Sequence, residues 1–272
     1  MTSTPAPASL LPTALEAVAL ASDLMRTRVP GLLTAKGDRD MASEVDYAIE
    51  RAVRDHLRTQ TPDIAFLGEE EGKRGTGDLM WVLDPVDGTA NYVRNLPLCG
   101  ISLALLHQGR PIVGVIDLPF LGTRYHAAHG IGAYQADRRL QVSMTTDLKD
   151  AIVALGDYAV GEGAETENRL RLALTERLAA RVQRIRMLGS AALDLAWVAD
   201  GKLDAAIMLS NKPWDTAAGV LIAREAGAAV IDTDGTDHTL TSTATIATTP
   251  NLTDQVTTLI QESREHILHE LK

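Results

Sequence analysis

Two aspartates, Asp84 and Asp87, lie three residues apart in a stretch that changes character abruptly. Residues 79–83 are apolar and predict a buried strand. Asp84-Pro85 then forces an extended or turning backbone, because proline disfavours a helical conformation in the residue before it. Residues 86–89 predict a tight turn that enters a helix. Both carboxylates can therefore face one point across that turn.

Gly88 and Thr89 follow at the predicted start of the helix. Backbone N–H groups at a helix start bind anions, and carboxylates beside an anion pocket repel the anion unless cations lie between them. Mg²⁺ that bridges carboxylate and phosphate oxygens satisfies both requirements. An ordinary surface turn stays open as the alternative, because Asp-Pro and Asp-Gly are common turn dipeptides.

A second acidic segment lies between two glycines at residues 68–72, directly after a strand predicted over residues 64–67. Its three adjacent acids repel one another unless water or cations neutralise them. Taken alone, the segment is typical of a solvated turn. Because the next strand ends in Asp84, the two strand ends could present Glu69 and Asp84 to the same cation.

Two further carboxylates lie at predicted helix starts. Ser43 fits the N-cap of a helix, which puts Asp46 in its first turn. Asp215 opens a helix after the strand predicted over residues 203–209. Capping and the helix dipole explain either residue by itself. The functional interpretation puts Asp46 at the edge of a metal cluster and makes Asp215 the carboxylate contributed by the second half of the chain.

The elements that must position these acids differ between the two halves of the chain. Residues 98–134 predict consecutive strands, hence a largely antiparallel sheet, to which residues 138–143 could add an edge strand. From about residue 150, strands alternate with helices, which predicts a mixed or parallel sheet covered by helices. We therefore expect an N-terminal α+β half over residues 1–148 and a C-terminal α/β half over residues 149–272. The two halves are expected to share a long interface.

The N-terminal region is predicted to contain a frayed end, a helix and a polar loop. Residues 1–9 are rich in small residues and proline and predict a frayed end. Residues 11–28 predict a helix, because their apolar residues fall on one helical face. Residues 36–40 predict a polar loop.

Composition limits the classes of function. The chain has 272 residues, 45% of them hydrophobic, and a formal net charge of −10. This charge argues against nucleic acid or an anionic membrane as a partner. We expect no membrane span, because no run of about 18 apolar residues is present, and we recognise no secretory signal. Cys99, the single cysteine, predicts a buried inert thiol in a reducing, cytoplasmic compartment.

Together these residues resemble the inositol monophosphatase family of Mg²⁺-dependent, lithium-sensitive phosphatases, and in particular its actinobacterial-type branch. The resemblance covers nearly the whole chain in order and spacing. It is carried by Lys36, Asp46, Gly68-Glu69-Glu70, residues 81–89, residues 189–192, Trp214-Asp215 and residues 217–219. The resemblance implies a layered α-β-α-β-α sandwich, commonly homodimeric, that acts on a small phosphorylated metabolite.

The resemblance also implies a role for each acid. Two to three Mg²⁺ ions are expected per active site. Their expected ligands are Glu69, Asp84 and the Val86 carbonyl at the first, Asp84, Asp87 and Asp215 at the second, and Asp46 with Glu69 at a weaker third. Phosphate is expected on Asp87, Gly88 and Thr89. Glu69, Thr89 and Asp46 form the expected catalytic group, in which Glu69 and the Thr89 hydroxyl accept the proton of the attacking water.

The side that would bind the substrate alcohol departs from the animal-type pattern. There a glutamate binds inositol hydroxyls at the position of Met208, and a thioether cannot replace a carboxylate. Gly189, Ser190, Ala191, Met208 and Lys212 are the residues expected to contact this part of the substrate, and Lys212 could approach a second anionic group.

The choice of substrate therefore stays open. Inositol 1-phosphate is favoured, while fructose 1,6-bisphosphate, histidinol phosphate and 3′-phosphoadenosine 5′-phosphate would need the same chemistry. A non-catalytic protein that binds Mg²⁺ or a sugar phosphate is the alternative of another class.

Overall fold

The computed structural model describes residues 7–38 and 40–270 of the chain. Its helices are α1 (Pro7–Thr27), α2 (Glu44–Gln60), α3 (Thr89–Tyr92), α4 (Ala164–Arg181), α5 (Ala191–Ala199), α6 (Pro213–Glu225) and α7 (Thr253–Glu270). Its strands are β1 (Leu33–Gly37), β2 (Asp40–Ser43), β3 (Ala65–Gly68), β4 (Gly72–Arg74), β5 (Leu79–Asp87), β6 (Gly100–His107), β7 (Arg110–Leu118), β8 (Thr123–Ala128), β9 (Gly132–Gln135), β10 (Arg138–Arg139), β11 (Ile152–Leu155), β12 (Arg184–Arg186), β13 (Ala205–Met208), β14 (Ala229–Ile231) and β15 (Thr245–Thr248).

The first sheet has eight strands in the order β10-β9-β8-β7-β6-β5-β3-β4. Its neighbouring strands are antiparallel except β3 and β5, which run parallel. A tight hairpin joins β6 to β7 at Gln108 and Gly109, which both have positive φ as a type I′ turn requires. The expected antiparallel character of this sheet is confirmed.

The second sheet has five strands in the order β12-β11-β13-β15-β14. β11 is parallel to β12 and β13, whereas β15 is antiparallel to β13 and β14. The sheet is therefore mixed, as expected. Sequence reasoning missed β15, because its four residues, Thr-Ile-Ala-Thr, carry a weak apolar signal although all of them are buried.

Alternation of side chains along the strands builds the layers. Leu105 of β6 packs with α1 and α2, whereas its neighbour Ala104 packs with α5 and α6. In the second sheet Ala206 faces the same two helices, and Ile207 packs with α4 and α7. The order is α1 and α2, first sheet, α5 and α6, second sheet, α4 and α7. This is the expected α-β-α-β-α sandwich.

The N-terminal region differs from expectation in two places. Residues 7–9 begin α1 instead of a frayed end, and the rest of that prediction, residues 1–6, lies outside the described residues. Lys36, Gly37 and Asp40, expected within a loop, belong to the paired strands β1 and β2, and residue 39 lies outside the described residues. All five residues of β1 are exposed, so no apolar alternation could have marked it.

α1 is long and apolar enough to span a membrane by length and composition alone, although Glu16 and Asp23 interrupt its apolar run. A helix buried in a protein core passes the same test. Ala14, Val18, Ala21 and Met25 are fully buried and pack with α2 and the first sheet. α1 is therefore a packing element of the outer layer.

The first sheet lies within residues 65–139 and the second within residues 152–248. α5 and α6 belong to the second half by sequence, but they pack on both sheets. The division of the chain between residues 148 and 149 stays a prediction.

Candidate active site

The aspartates of β5 share one face of the first sheet because the strand contains a bulge. Asp84 pairs with Ser102 and Asp87 with Gly100, so β5 uses one more residue than β6 over this step. In a regular strand, residues three apart point to opposite faces, and one extra residue removes that difference. β5 therefore continues through Asp87 and does not end at Asp84-Pro85 as the sequence suggested.

Gly88 makes the turn that follows β5. Its φ of 88° lies in the left-handed region, and a Cβ there would stand 3.0 Å from the carbonyl oxygen of Gly189. A side chain at this position would therefore strain the backbone and collide with the neighbouring loop. The close approach brings the segment before α5 against the turn that carries Asp87 and Thr89.

Glu69 follows β3 and is held beside β5. Its backbone N–H donates to the carbonyl of Leu83 at 3.2 Å, as expected for neighbouring strand ends. Lys36 from β1 places its Nζ 2.8 Å from a carboxylate oxygen of both Glu69 and Glu70. Burial alone would lower the pKa of Lys36, but these hydrogen bonds outweigh it and raise the pKa. Lys36 is therefore a fixed positive charge at the rim of the acids.

Glu50 of α2 shapes the acidic turn, and sequence reasoning missed it. Its two carboxylate oxygens accept hydrogen bonds from the backbone N–H groups of Glu70 and Glu71, each at 2.8 Å. The side chain is fully buried, and that burial raises its pKa. The only sequence signal is an acid beside the buried Ile49 on the apolar side of α2. Glu71 is neutralised separately by Arg51 and Arg54.

Asp215 completes the group from the far half of the chain. It lies in the first turn of α6, which Pro213 begins. Glu69, Asp84 and Asp215 each offer a carboxylate oxygen, and these three oxygens lie within 4.8 Å of one another. Glu69 and Asp215 are 146 positions apart in the sequence, and the fold brings their carboxylates to one point. Such an all-oxygen group can hold a hard divalent cation.

The acids raise one another's pKa. Burial, followed by the charges of Glu69, Asp87 and Asp215, raises the pKa of Asp84 well above its ordinary value. Burial raises the pKa of Asp87 to about 6, although hydrogen bonds from Ser190 and Ala192 oppose the change. Burial and the charge of Asp87 raise that of Asp215 to about 8. The ionised cluster is therefore costly to fold without a cation.

Asp46 is both a helix cap and a partner of Thr89. Its Oδ2 accepts from the backbone N–H of Ser43 at 3.0 Å and from the Ser43 hydroxyl, which completes a capping box. Its Oδ1 lies 3.1 Å from the Thr89 hydroxyl, which also lies 3.0 Å from the Val86 carbonyl. Burial raises the pKa of Asp46 against these hydrogen bonds. The capping role of Asp46 is therefore observed, and its place at the edge of a metal cluster stays a prediction.

The predicted alcohol-side residues are spread over three places. Ser190 caps α5, and its hydroxyl and the N–H of Ala192 both donate to Asp87 Oδ2 at 2.6 Å. Gly189 backs the Gly88 turn, and Ala191 begins α5. Met208 is 4% exposed and packs in the core between the sheets. Their contact with a substrate stays a prediction.

A cavity of about 270 Å³ lies over the acids. It is lined by Lys36, Met41, Glu69, Asp84, Val86, Asp87, Gly88, Thr89, Ala90, Asp157, Lys212 and Asp215. Asp157 is, after Glu50, the second acid near the site that sequence reasoning missed. Cys99 is buried, and burial raises its pKa to about 12, in agreement with an inert thiol.

The fold and the site together define a hydrolase of phosphoric monoesters. The model of the inositol monophosphatase family matches residues 7–267, and the chain belongs to this family. The fructose-1,6-bisphosphatase/inositol-1-monophosphatase of Thermotoga maritima is 34% identical over 240 residues, 88% of this chain and 90% of that protein. The probable inositol 1-monophosphatase ImpA of Mycobacterium tuberculosis is 37% identical over 234 residues, 86% of either chain.

A solved structure shows the same architecture. The Thermotoga maritima IMPase superposes with a TM-score of 0.86 at 32% identity, and the match covers 95% of this chain and 99% of that one. The family and the layered fold are therefore confirmed. The actinobacterial-type branch stays a prediction.

Proposed function

We propose that this protein is an Mg²⁺-dependent phosphatase of small polyol phosphates, with inositol 1-phosphate as its favoured substrate. One observation carries the proposal: the carboxylate oxygens of Glu69, Asp84 and Asp215 lie within 4.8 Å of one another, in a cavity that Thr89 also lines. Oxygen donors of this kind suit Mg²⁺ better than a softer metal. The name of the mycobacterial relative supports the choice of substrate.

The carboxylate and carbonyl oxygens of the site suit two or three cations, with some carboxylates as ligands of more than one cation. Glu69, Asp84 and the Val86 carbonyl would hold one, and Asp84, Asp87 and Asp215 another. When bound, Mg²⁺ supplies positive charge that offsets the phosphate oxygens and activates a water molecule. The raised pKa values of Asp84, Asp87 and Asp215 support this assignment, because a cation would offset both the burial and the mutual repulsion that raise them.

The chain's own residues then position the phosphate and handle the proton. Gly88 leaves room beside the turn, and we propose that its N–H and that of Thr89 hold the phosphate. The Thr89 hydroxyl donates toward Asp46, so its lone pairs can accept a proton from the attacking water. Asp46 takes up the threonine proton in turn. Lys36 fixes the orientation of Glu69, the second group proposed to accept a proton.

A substrate panel tests the proposal. Phosphate release would be measured from inositol 1-phosphate, fructose 1,6-bisphosphate, histidinol phosphate and 3′-phosphoadenosine 5′-phosphate, each with Mg²⁺ and with EDTA. We expect Mg²⁺-dependent turnover, with the highest kcat/KM on inositol 1-phosphate. Metal binding without turnover of any compound would refute the phosphatase and favour a non-catalytic binding protein.

Fructose 1,6-bisphosphate is the second candidate. The name of the Thermotoga maritima relative includes this activity, and Lys212 adds a positive charge to the cavity that a second phosphate could approach. A higher kcat/KM on the bisphosphate than on inositol 1-phosphate would replace our favoured substrate.

We also propose a cytoplasmic homodimer, on the resemblance stated above. Light scattering of the purified protein checks the assembly, and a monomer at micromolar concentration would contradict it. Cell fractionation checks the location.

A further inference from the structure

The substrate-alcohol side of the cavity is built by two strand ends of the second sheet. β11 and β13 are parallel neighbours, with Leu155 opposite Ile207, so both chains leave the sheet at the same edge. The N–H of Gly156 donates to the Ile207 carbonyl at 2.9 Å. A Cβ on Gly156 would lie 3.3 Å from Met208 Cγ. The chain after β11 therefore runs directly over Met208.

Asp157 is the next residue, and it lines the cavity while Met208 does not. Met208 points into the core and is 4% exposed. Asp157 is exposed and makes no hydrogen bond or ion pair with another residue in the part of the chain that the structure describes. Its charge also acts on Asp194, a buried carboxyl near Asp87. The fold therefore places the carboxylate of Asp157 next to Met208.

The other cavity-lining acids already have proposed tasks. Glu69, Asp84, Asp87 and Asp215 are the residues proposed to hold the cations, which leaves Asp157 as the cavity-lining carboxylate available to the leaving alcohol. A carboxylate accepts hydrogen bonds from two hydroxyl groups at once, and it repels a leaving group that carries a negative charge of its own.

We propose that Asp157 binds hydroxyl groups of the substrate and selects a neutral polyol as the leaving group. This role rests on the proposed phosphatase function. Lys212, in the same cavity, can donate to a third oxygen of the polyol. Asp157 would accept hydrogen bonds from the polyol and Lys212 would donate one, whereas the buried Met208 side chain can do neither.

The test compares two esters that differ in hydroxyl groups. Inositol 1-phosphate carries a polyol, whereas phenyl phosphate carries none. In Asp157→Ala we expect kcat/KM for inositol 1-phosphate to fall about 10- to 100-fold, the usual effect of losing a hydrogen bond to a charged group. Asp157→Asn should lose less, because its amide keeps one acceptor oxygen. The loss should appear mainly in KM. Phenyl phosphate should change by less than about two-fold, because it makes no such bond.

Glu162→Gln is the matched control, since Glu162 is an exposed acid five positions along the same loop and lies outside the cavity lining. It should leave both esters unchanged. An equal loss on both esters in Asp157→Ala, or no loss on either, would overturn the role of Asp157. Absence of wild-type turnover on both esters would overturn the phosphatase proposal and this role with it.

Discussion

Replacing Asp87 by asparagine removes a charge from the acid cluster with little change of shape. Asp87 is 7% exposed, and its Oδ2 accepts hydrogen bonds from the Ser190 hydroxyl and the Ala192 N–H, both at 2.6 Å. An amide oxygen can accept the same two hydrogen bonds. Asp87→Asn therefore isolates the cost of the buried charge.

The magnitude follows from the pKa of Asp87, which burial raises from 3.8 to about 6. One pKa unit corresponds to about 1.4 kcal/mol, so the ionised carboxylate costs about 3 kcal/mol at pH 7.5 without a cation. The folded state holds the proton more tightly than the unfolded state. The free energy of unfolding must therefore fall as pH rises from about 4 to about 6, after which this group contributes no further change.

Thermal unfolding in EDTA between pH 4 and pH 8 measures this cost. At pH 7.5 we expect Asp87→Asn to be more stable than the wild type by about 3 kcal/mol, or about 6–12 °C in Tm for a chain of this size. The difference should vanish near pH 4. Mg²⁺ should stabilise the wild type much more than the variant, and turnover should be lost in the variant.

Asp63→Asn is the control, because Asp63 is exposed and lies outside the cavity lining. It should follow the wild type at every pH. Wild-type pH dependence of unfolding by Asp87→Asn in EDTA would show that the buried charge of Asp87 does not carry this cost. Near-normal turnover in Asp87→Asn would show that the placement of the second cation is wrong.

Three further predictions follow from the contacts around the cluster. Thr89→Ala should lower kcat about 10²- to 10⁴-fold, because the hydroxyl that lies 3.1 Å from Asp46 is lost, whereas Thr89→Ser should recover most of the wild-type kcat. Phosphate release measures both variants, and near-normal kcat in Thr89→Ala would exclude the proton path. Ser190→Ala should lower the free energy of unfolding by about 1 kcal/mol through the lost N-cap and weaken Mg²⁺ binding about 10- to 100-fold through the lost hydrogen bond to Asp87. Mg²⁺ titrations followed by Tm measure both effects, and unchanged Mg²⁺ affinity would contradict the role of this hydrogen bond. Cys99 should resist a thiol reagent in the folded protein and react fully in denaturant, because the thiol is buried with a pKa of about 12. Rapid labelling of the native protein would contradict the burial of Cys99.

The acid cluster could be predicted from the sequence because each acid follows a recognisable strand end or helix start. Glu69 follows β3, Asp84 and Asp87 end β5, and Asp215 begins α6. Strand ends of one sheet meet at one edge, so convergence within the first sheet followed from the pattern. The pattern of strands and helices could not show that α6 brings Asp215 to the same edge of the first sheet. The family resemblance predicted this.

Other parts of the site left no local signal. Glu50 looks like a surface acid of α2, and its function appears only when Glu70 and Glu71 present their backbone N–H groups to it. Asp157 is a single acid in a loop, and nothing in its neighbours marks it. Met208 shows the reverse case, because the family resemblance predicts a substrate contact whereas the structure packs its side chain in the core. Such properties depend on long-range packing.

The middle layer explains how an unfavourable cluster can persist. α6 delivers Asp215 through its first turn, and α5 holds Asp87 through Ser190 at its N-cap. The bodies of both helices are buried between the two sheets, where apolar burial offsets the repulsion among the acids. The complete cluster therefore exists only when both sheets have packed on this layer. Cations that bind the complete cluster must then favour the assembled sandwich over the unfolded chain, so folding and metal binding are linked through α5 and α6.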